Sequence, residues 1–252
     1  MVREIEQFPV EKYDLIVNDF EPITAWAARN KEVRIVGLSH QSALLSKKTP
    51  RPKFVDPFGE WLLRHYAPVE KYIGFHFEEY DKNIFTPVIR SAITEAPKKD
   101  KGHYTVYLPA YDDQKLAALL IKFPSVRWHI FSKHTRQPYH VGKVSVYPVS
   151  GDDFVESVVT STGVLCGAGF ETPAEVLHLH KKLLVVPMKS QYEQKCNAVA
   201  LKQLGVPVLK KVKKRSLRRI EKWLDSDKRV EITFPKVAGK AVERLMKKYG
   251  MD

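Results

Sequence analysis

At 252 residues and 44% hydrophobic content, the chain is long enough to bury one or two cores. Its two cysteines, Cys166 and Cys196, exclude a disulfide framework and a C-x-x-C metal site. No apolar run approaches the ~18 residues of a spanning helix, and the charged start MVREIEQFPVEKY lacks a signal-peptide h-region, so a cytoplasmic location is expected.

In chain order, residues 13–17 (YDLIV) read as a strand, 23–29 as a helix, and 34–38 (RIVGL) as a second strand. Asp19, Glu21 and His40 fall at strand carboxyl ends, the functional edge of a parallel sheet. Two carboxylates without a further partner are ordinary turn and cap residues. His40 has polar neighbours in Ser39 and Gln41, and is equally compatible with a structural role. Residues 46–57 form a basic, proline-rich loop, 58–65 a helix, and 71–77 and 83–85 strands. A domain boundary is expected near Arg90, where the charged stretch 95–101 (EAPKKDK) follows as an exposed connection.

The second half alternates strand and helix. Residues 104–108 (YTVYL) form a β-rich strand, 114–123 an amphipathic helix, 126–131 and 144–147 strands, and 152–159 a helix. Lys133 and His134 sit at a strand end in a basic loop, and Val149 follows the next strand. The stretch 164–207 is the most informative. A buried strand, Val164-Leu165-Cys166, runs into Gly167-Ala168-Gly169, where backbone can turn and a ligand can approach closely. Thr172 suits an N-cap, Pro173 the first helical position and Glu175 a capping box. A strand at 183–186 is followed by a second box, Ser190 to Glu193, and Gly205 as the helix stop. Two helix amino ends are thereby aimed at one sheet edge, where α/β folds bind anions. Glu193, Gln194 and Asn197 share a helix face and offer hydroxyl-binding groups.

A dinucleotide fold is set aside. The run Gly167 to Thr172 lacks the third glycine of G-x-G-x-x-G, and Met188-Lys189 stands where a ribose-binding acid belongs. His178 and His180 are two apart and share no helix face, so they make no zinc pair. Between 202 and 219 lie Lys202, Lys210, Lys211, Lys213, Lys214, Arg215, Arg218 and Arg219 with no acid, within a net charge of +13. A solvated face and an anionic membrane surface both fit this run. Nucleic acid is not expected, because no recognised binding module is present.

The run Gly169-Phe170-Glu171-Thr172-Pro173-Ala174-Glu175, then Glu193-Gln194 and Asn197-Ala198, resembles the donor-binding half of GT-B-fold glycosyltransferases. In the plant-type members the pattern is G-W-N-S-x-x-E, then D/E-Q and N-A. Phe170 and Glu171 depart from it. The bacterial lipid-II-forming N-acetylglucosaminyltransferase has a similar layout, and Ser39-His40-Gln41 loosely resembles its acceptor-side loop. Thr86-Pro87-Val88-Ile89-Arg90 resembles the family's crossing between domains.

The resemblance implies an α/β chain of two Rossmann-like parallel-sheet domains. Residues 1–90 would form an incomplete acceptor-side domain, and 91–252 the nucleotide-sugar domain with terminal helices at 217–224 and 239–249, the last of them able to cross back to the first domain. Glu175 would hold ribose. Thr172 and the backbone from Gly167 to Glu171 would hold the diphosphate, with Lys133 as a candidate phosphate partner. Val149 would meet the nucleobase, and Glu193, Gln194 and Asn197 the sugar. The activity implied is transfer from a nucleoside-diphosphate sugar, with UDP-sugar the leading donor, to a sugar or lipid-linked acceptor. No metal or other cofactor is expected. His40 is the only base candidate, the family's usual base loop having no counterpart. A non-catalytic sugar-nucleotide-binding module and a nucleotide-sugar epimerase of the same fold are the alternatives.

Overall fold

Aliphatic and β-branched runs bounded by turn residues become short strands buried in parallel sheets. The computed structural model of the chain describes residues 1–97 and 99–250. These separate into two units, Met1–Val88 with Phe234–Asp252, and Ile89–Thr233. In the first unit, α1 (Val2–Gln7) and a 3-10 turn precede β1 (Ile16–Asn18) and α2 (Pro22–Asn30). Then come β2 (Ile35–Ser39), α3 (His40–Ala43), α4 (Pro57–His65), β3 (Lys71–Phe75) and β4 (Ile84–Phe85). The four strands pair in chain order, all parallel. β1 starts three residues later than YDLIV suggests, because Tyr13 ends the 3-10 turn and is exposed.

Glu21 is the cap of α2, its carboxylate accepting from the N–H groups of Ile23 and Thr24 at 2.8 and 2.7 Å. α3 lies so close to β3 that a Cβ on Gly74 would stand 2.5 Å from the Ala43 Cα, which explains a glycine inside a strand.

The second unit contains α5 (Ser91–Thr94), β5 (His103–Tyr107), α6 (Asp113–Leu120), β6 (Arg127–Ser132), β7 (Tyr139–Val141) and β8 (Val144–Pro148). It continues with α7 (Gly151–Thr160), β9 (Gly163–Gly167), α8 (Glu171–His178), β10 (Lys182–Val186), α9 (Tyr192–Gln203) and α10 (Leu217–Asp225). The sheet order is β10-β9-β5-β6-β8-β7, parallel except for the β7–β8 hairpin. Val106, Leu120, Trp128, Ile130, Leu165 and Ile220 anchor its core. The hairpin was absent from the sequence reading. Its turn, Gly142-Lys143, has Gly142 at φ +59°, a conformation that favours glycine.

The last helix, α11 (Ala238–Tyr249), revises the division at residue 90, which left all of 91–252 in one domain. Val237, Ala241 and Leu245 join Val36, Ile73 and Phe85 in the core of the first unit. Arg244 Nη1 donates to the Lys82 carbonyl at 2.6 Å, and its guanidinium lies 4.6 Å from the Phe85 ring centre. The apolar stripe of α11 has its partners there, which sequence periodicity cannot reveal.

On the second sheet, His103 and His129 stack with ring centres 4.0 Å apart. His103 Nε2 lies 3.1 Å from the Ser157 carbonyl of α7. Burial, reinforced by the neighbouring His103, pushes His129 down to about 4, and burial also lowers His103. In the unfolded chain both titrate near the ordinary value of ~6.5. Between that value and about 4 the unfolded state therefore binds more protons than the folded one. The stability these rings contribute is complete above the unfolded value and is lost as pH falls towards 4. Melting temperature should drop by several degrees from pH 7.5 to pH 5, and His129→Phe should flatten that drop, as read by calorimetry across the range.

Candidate functional site

Five connections leave the carboxyl edge of the six-stranded sheet, after β5, β6, β8, β9 and β10. Sheet growth reverses between β5 and β9, whose parallel register runs from Tyr104↔Gly163 to Tyr107↔Cys166. Crevices at such reversals are where open α/β sheets take ligands. β9 ends at Gly167, and the chain turns through buried Ala168 and half-buried Gly169 into α8. Neither glycine has a positive φ. A Cβ on Gly169 would meet nothing within 4 Å, and one on Gly167 would make ordinary contact with Gln194 Oε1 at 3.5 Å. The turn therefore does not need glycine, contrary to one half of the sequence argument. What the glycines leave is uncovered backbone at the mouth of the loop.

The start of α8 differs from expectation. The helix opens at Glu171 with Phe170 as N-cap and no side-chain capping bond. Thr172 lies within the first turn instead of capping it. Pro173 stands third, where a missing N–H is harmless because the first four helical N–H groups lack intrahelical acceptors. The same rule leaves the N–H groups of Glu171 and Thr172 without intrahelical acceptors at the carboxyl edge. Glu175 closes no capping box. Its carboxylate is held in a bidentate ion pair by Arg90, with Nε to Oε1 at 2.5 Å and Nη2 to Oε2 at 2.9 Å. A fork of this kind outcompetes a neutral amide for the carboxylate. The Glu175 side chain is 5% exposed and that of Arg90 56%. The hydrogen bond to Glu175 raises the Arg90 pKa further. Arg90 was overlooked as a site residue because its partner lies 85 positions away.

The second predicted box does not form either. α9 begins at Tyr192 with Gln191 as N-cap and no side-chain cap. Glu193 Oε1 accepts from Asn197 Nδ2 at 3.3 Å, one turn on. Gln194 folds back instead. Its Oε1 accepts from the Met188 N–H at 3.0 Å, and its Nε2 donates to Gln191 Oε1 at 2.6 Å. Gln194 thus ties the loop after β10 to the position beside Gly167. Asn197 is buried, while Glu193 and Gln194 are half-buried.

Lys133 is exposed on the connection after β6, and Val149 on the one after β8, both at this same edge. His40 belongs to the first unit. It is the first residue of α3, whose N-cap Ser39 accepts from the Ser42 N–H at 3.0 Å. Cys166 and Cys196 are buried free thiols, and burial raises the Cys166 pKa. Among the described residues no three His, Cys, Asp or Glu side chains are grouped to hold a metal, and no helix is long and apolar enough to cross a membrane.

Residues 1–226 match the family model described as Glycosyl transferase family 1. The chain belongs to this glycosyltransferase family. No curated protein matches it. Among solved structures it resembles Os79 from O. sativa in complex with UDP, with a TM-score of 0.61 and 12% identity over 98% of this chain and 76% of that one. Acinetobacter baumannii MurG gives a TM-score of 0.55 at 15% identity, covering 89% and 68%. The spinosyn forosaminyltransferase SpnP gives 0.53 at 15%, covering 94% and 72%. These neighbours are GT-B glycosyltransferases, and this family member shares their fold.

The Arg90–Glu175 pair makes an asymmetric prediction. Arg90→Ala strands a buried carboxylate, at a cost of about 2–4 kcal/mol. Glu175→Gln keeps the shape and leaves a half-exposed guanidinium able to turn to water, at a cost of about 1–2 kcal/mol. Urea unfolding of both variants should rank them in that order. Equal, small losses would mean that the pair behaves as an ordinary surface salt bridge.

Proposed function

We propose that this family member binds a nucleoside-diphosphate sugar at the carboxyl edge of the six-stranded sheet and transfers the sugar to an acceptor hydroxyl. The observation that carries this reading is the convergence of three features on one edge. These are the half-buried backbone of Gly167 and Gly169, the amino end of α8, and the polar first turns of α9. A diphosphate suits the first two, since oriented N–H groups bind anions without a cationic side chain. In this reading Gly167, Gly169, Phe170, Glu171 and Thr172 face the diphosphate, and Lys133 reaches its outer oxygens. Glu193, Gln194 and Asn197 take the sugar hydroxyls, and Val149 lies under the base. UDP is the leading nucleotide, because a neighbour of the same fold was solved with it.

Glu175 is the natural ribose acceptor by family pattern, yet Arg90 already engages it. A carboxylate offers about four lone-pair positions, and the fork uses two. Ribose hydroxyls either take the remainder or displace Arg90, which is half exposed and loses little burial on leaving. Charge developing on the leaving diphosphate is met by the helix amides and Lys133 rather than by a metal. His40 is the base candidate on this chain, and the acceptor is a sugar or lipid-linked hydroxyl. Nucleotide-sugar binding without transfer is the second reading, since the three donor-binding features all lie on the second unit and need no acceptor-side base.

Ligand that binds only the folded state at ~100 times its Kd stabilises by about 2.7 kcal/mol. Thermal unfolding with UDP, GDP, TDP and their sugar conjugates should show that gain for one nucleotide, UDP first. Gly169→Ala should melt as the wild type does without ligand, since its new Cβ meets nothing. The same substitution should remove most of the nucleotide-dependent rise. No rise with any nucleotide in the folded wild type would overturn the donor site. A rise without sugar transfer to any acceptor would leave the binding module.

A further inference from the structure

A separate cavity of about 320 Å³ lies in the second unit, away from the glycine loop. It reaches Leu183 near the amino end of β10, whereas the glycine loop follows the carboxyl end of the parallel neighbour β9. Its floor is apolar, made by Leu183, Val206, Pro207, Trp223 and Val230. Its rim carries four cations, Arg219, Lys222, Lys228 and Arg229, and no carboxylate lines it. Among the described residues none of the four forms an ion pair. Arg219 is held in place by donating from Nη2 to the Val208 carbonyl at 3.0 Å. Trp223 is buried edge-on against Tyr104, with ring centres 5.1 Å apart. Behind it lies the buried Lys182, its Nζ 5.9 Å from the Trp223 ring and bonded to the Leu224 carbonyl at 2.7 Å. Asp225 and Asp227 border the rim in sequence, and Asp100 lies near enough to feel the Arg229 charge; these carboxylates offset part of the rim's charge without lining the cavity.

Two features of this cavity are unfavourable in water, and one ligand relieves both. Cations gathered on one rim without an ion-pair partner repel one another, and the exposed Pro207 and half-buried Val230 leave apolar surface open to water beneath them. Inorganic phosphate answers only the first, and an uncharged apolar molecule only the second. A bare polyanion needs no apolar floor. We infer that this cavity binds a phosphate ester carried on an apolar chain or ring. The exposed Lys210, Lys211, Lys214, Arg215 and Arg218 of the same chain segment add to the positive field that draws such an anion. The inference is independent of the donor site, which uses the opposite edge of the sheet.

Hexyl phosphate, inorganic phosphate and hexanol are the probes, titrated into 15N-labelled protein while the Trp223 indole N–H signal is followed. Hexyl phosphate should shift that signal saturably and bind at least about tenfold more tightly than inorganic phosphate. Hexanol should leave the signal in place. In Lys222→Glu/Arg229→Glu the affinity for hexyl phosphate should fall about tenfold or more. These exposed substitutions should hold the ligand-free melting temperature within about 2 °C, which separates lost binding from lost folding. Equal affinity for the two phosphates, or an unchanged affinity in the variant, would overturn the assignment. Co-sedimentation with phosphatidic acid vesicles then separates sources. Vesicle binding lost in the variant assigns a lipid headgroup, and hexyl phosphate binding without vesicle binding assigns a soluble ester.

Discussion

The parallel pairing of β5 with β9 is the constraint on which the second unit rests. β5 comes first in the chain, β6 and β8 extend the sheet on one side of it, and β9 and β10 extend it on the other. Because the sheet grows both ways from this pair, the connections after β5 and β9 diverge and leave a crevice at their carboxyl ends. The pair is also the centre of the core. Val106, Leu165 and Cys166 are buried on it, and Trp128 and Ile130 pack beside them on β6. Core and candidate site are therefore set by one piece of geometry. The apolar run Val164 to Cys166 must be buried, and burying it delivers Gly167 and α8 to the edge.

That dependence explains what could be read in advance. β9 and β10 hold continuous apolar runs, and β5, β6 and β8 are rich in aromatic and β-branched residues, so all five were visible within a residue or two at their ends. β7 was not, because its three residues are exposed or half-buried and follow no apolar pattern. α1 buries no residue and left no periodicity to find. α11 was visible as a helix, and its return to the first unit was suggested by the family resemblance and not by its stripe.

The site was legible as a place more than as a set of bonds. Glycine loop, helix starts and polar α9 face fall at one edge because the strand–loop–helix order puts them there. The capping boxes failed because capping is local only when no stronger partner is in reach. Glu175 has a guanidinium 85 residues away in sequence, and the reach-back role expected of Glu193 is performed by Gln194 toward the Met188 N–H. A tertiary fork or a neighbouring loop decides such contests, and neither is encoded within seven residues.

The distribution of charge between the two edges of the sheet bears on how a diphosphate would be held. The chain carries a net charge of +13, yet on the connections at the carboxyl edge Asp112, Asp152, Asp153, Glu171, Glu175 and Glu193 balance Lys133, Arg136, Lys189 and the already engaged Arg90. Cations gather in the segment from Lys202 to Arg229, four of them on the rim of the cavity floored by Trp223. Attraction by net charge therefore does not single out the carboxyl edge. On the proposed reading, a diphosphate at the glycine loop would be held mainly by aligned N–H groups, whose field is short-ranged and fixed by the fold, with Lys133 beside them. That is the circumstance in which side chains on the loop would obstruct binding most, and Gly167 and Gly169, unnecessary for the turn itself, leave its backbone bare.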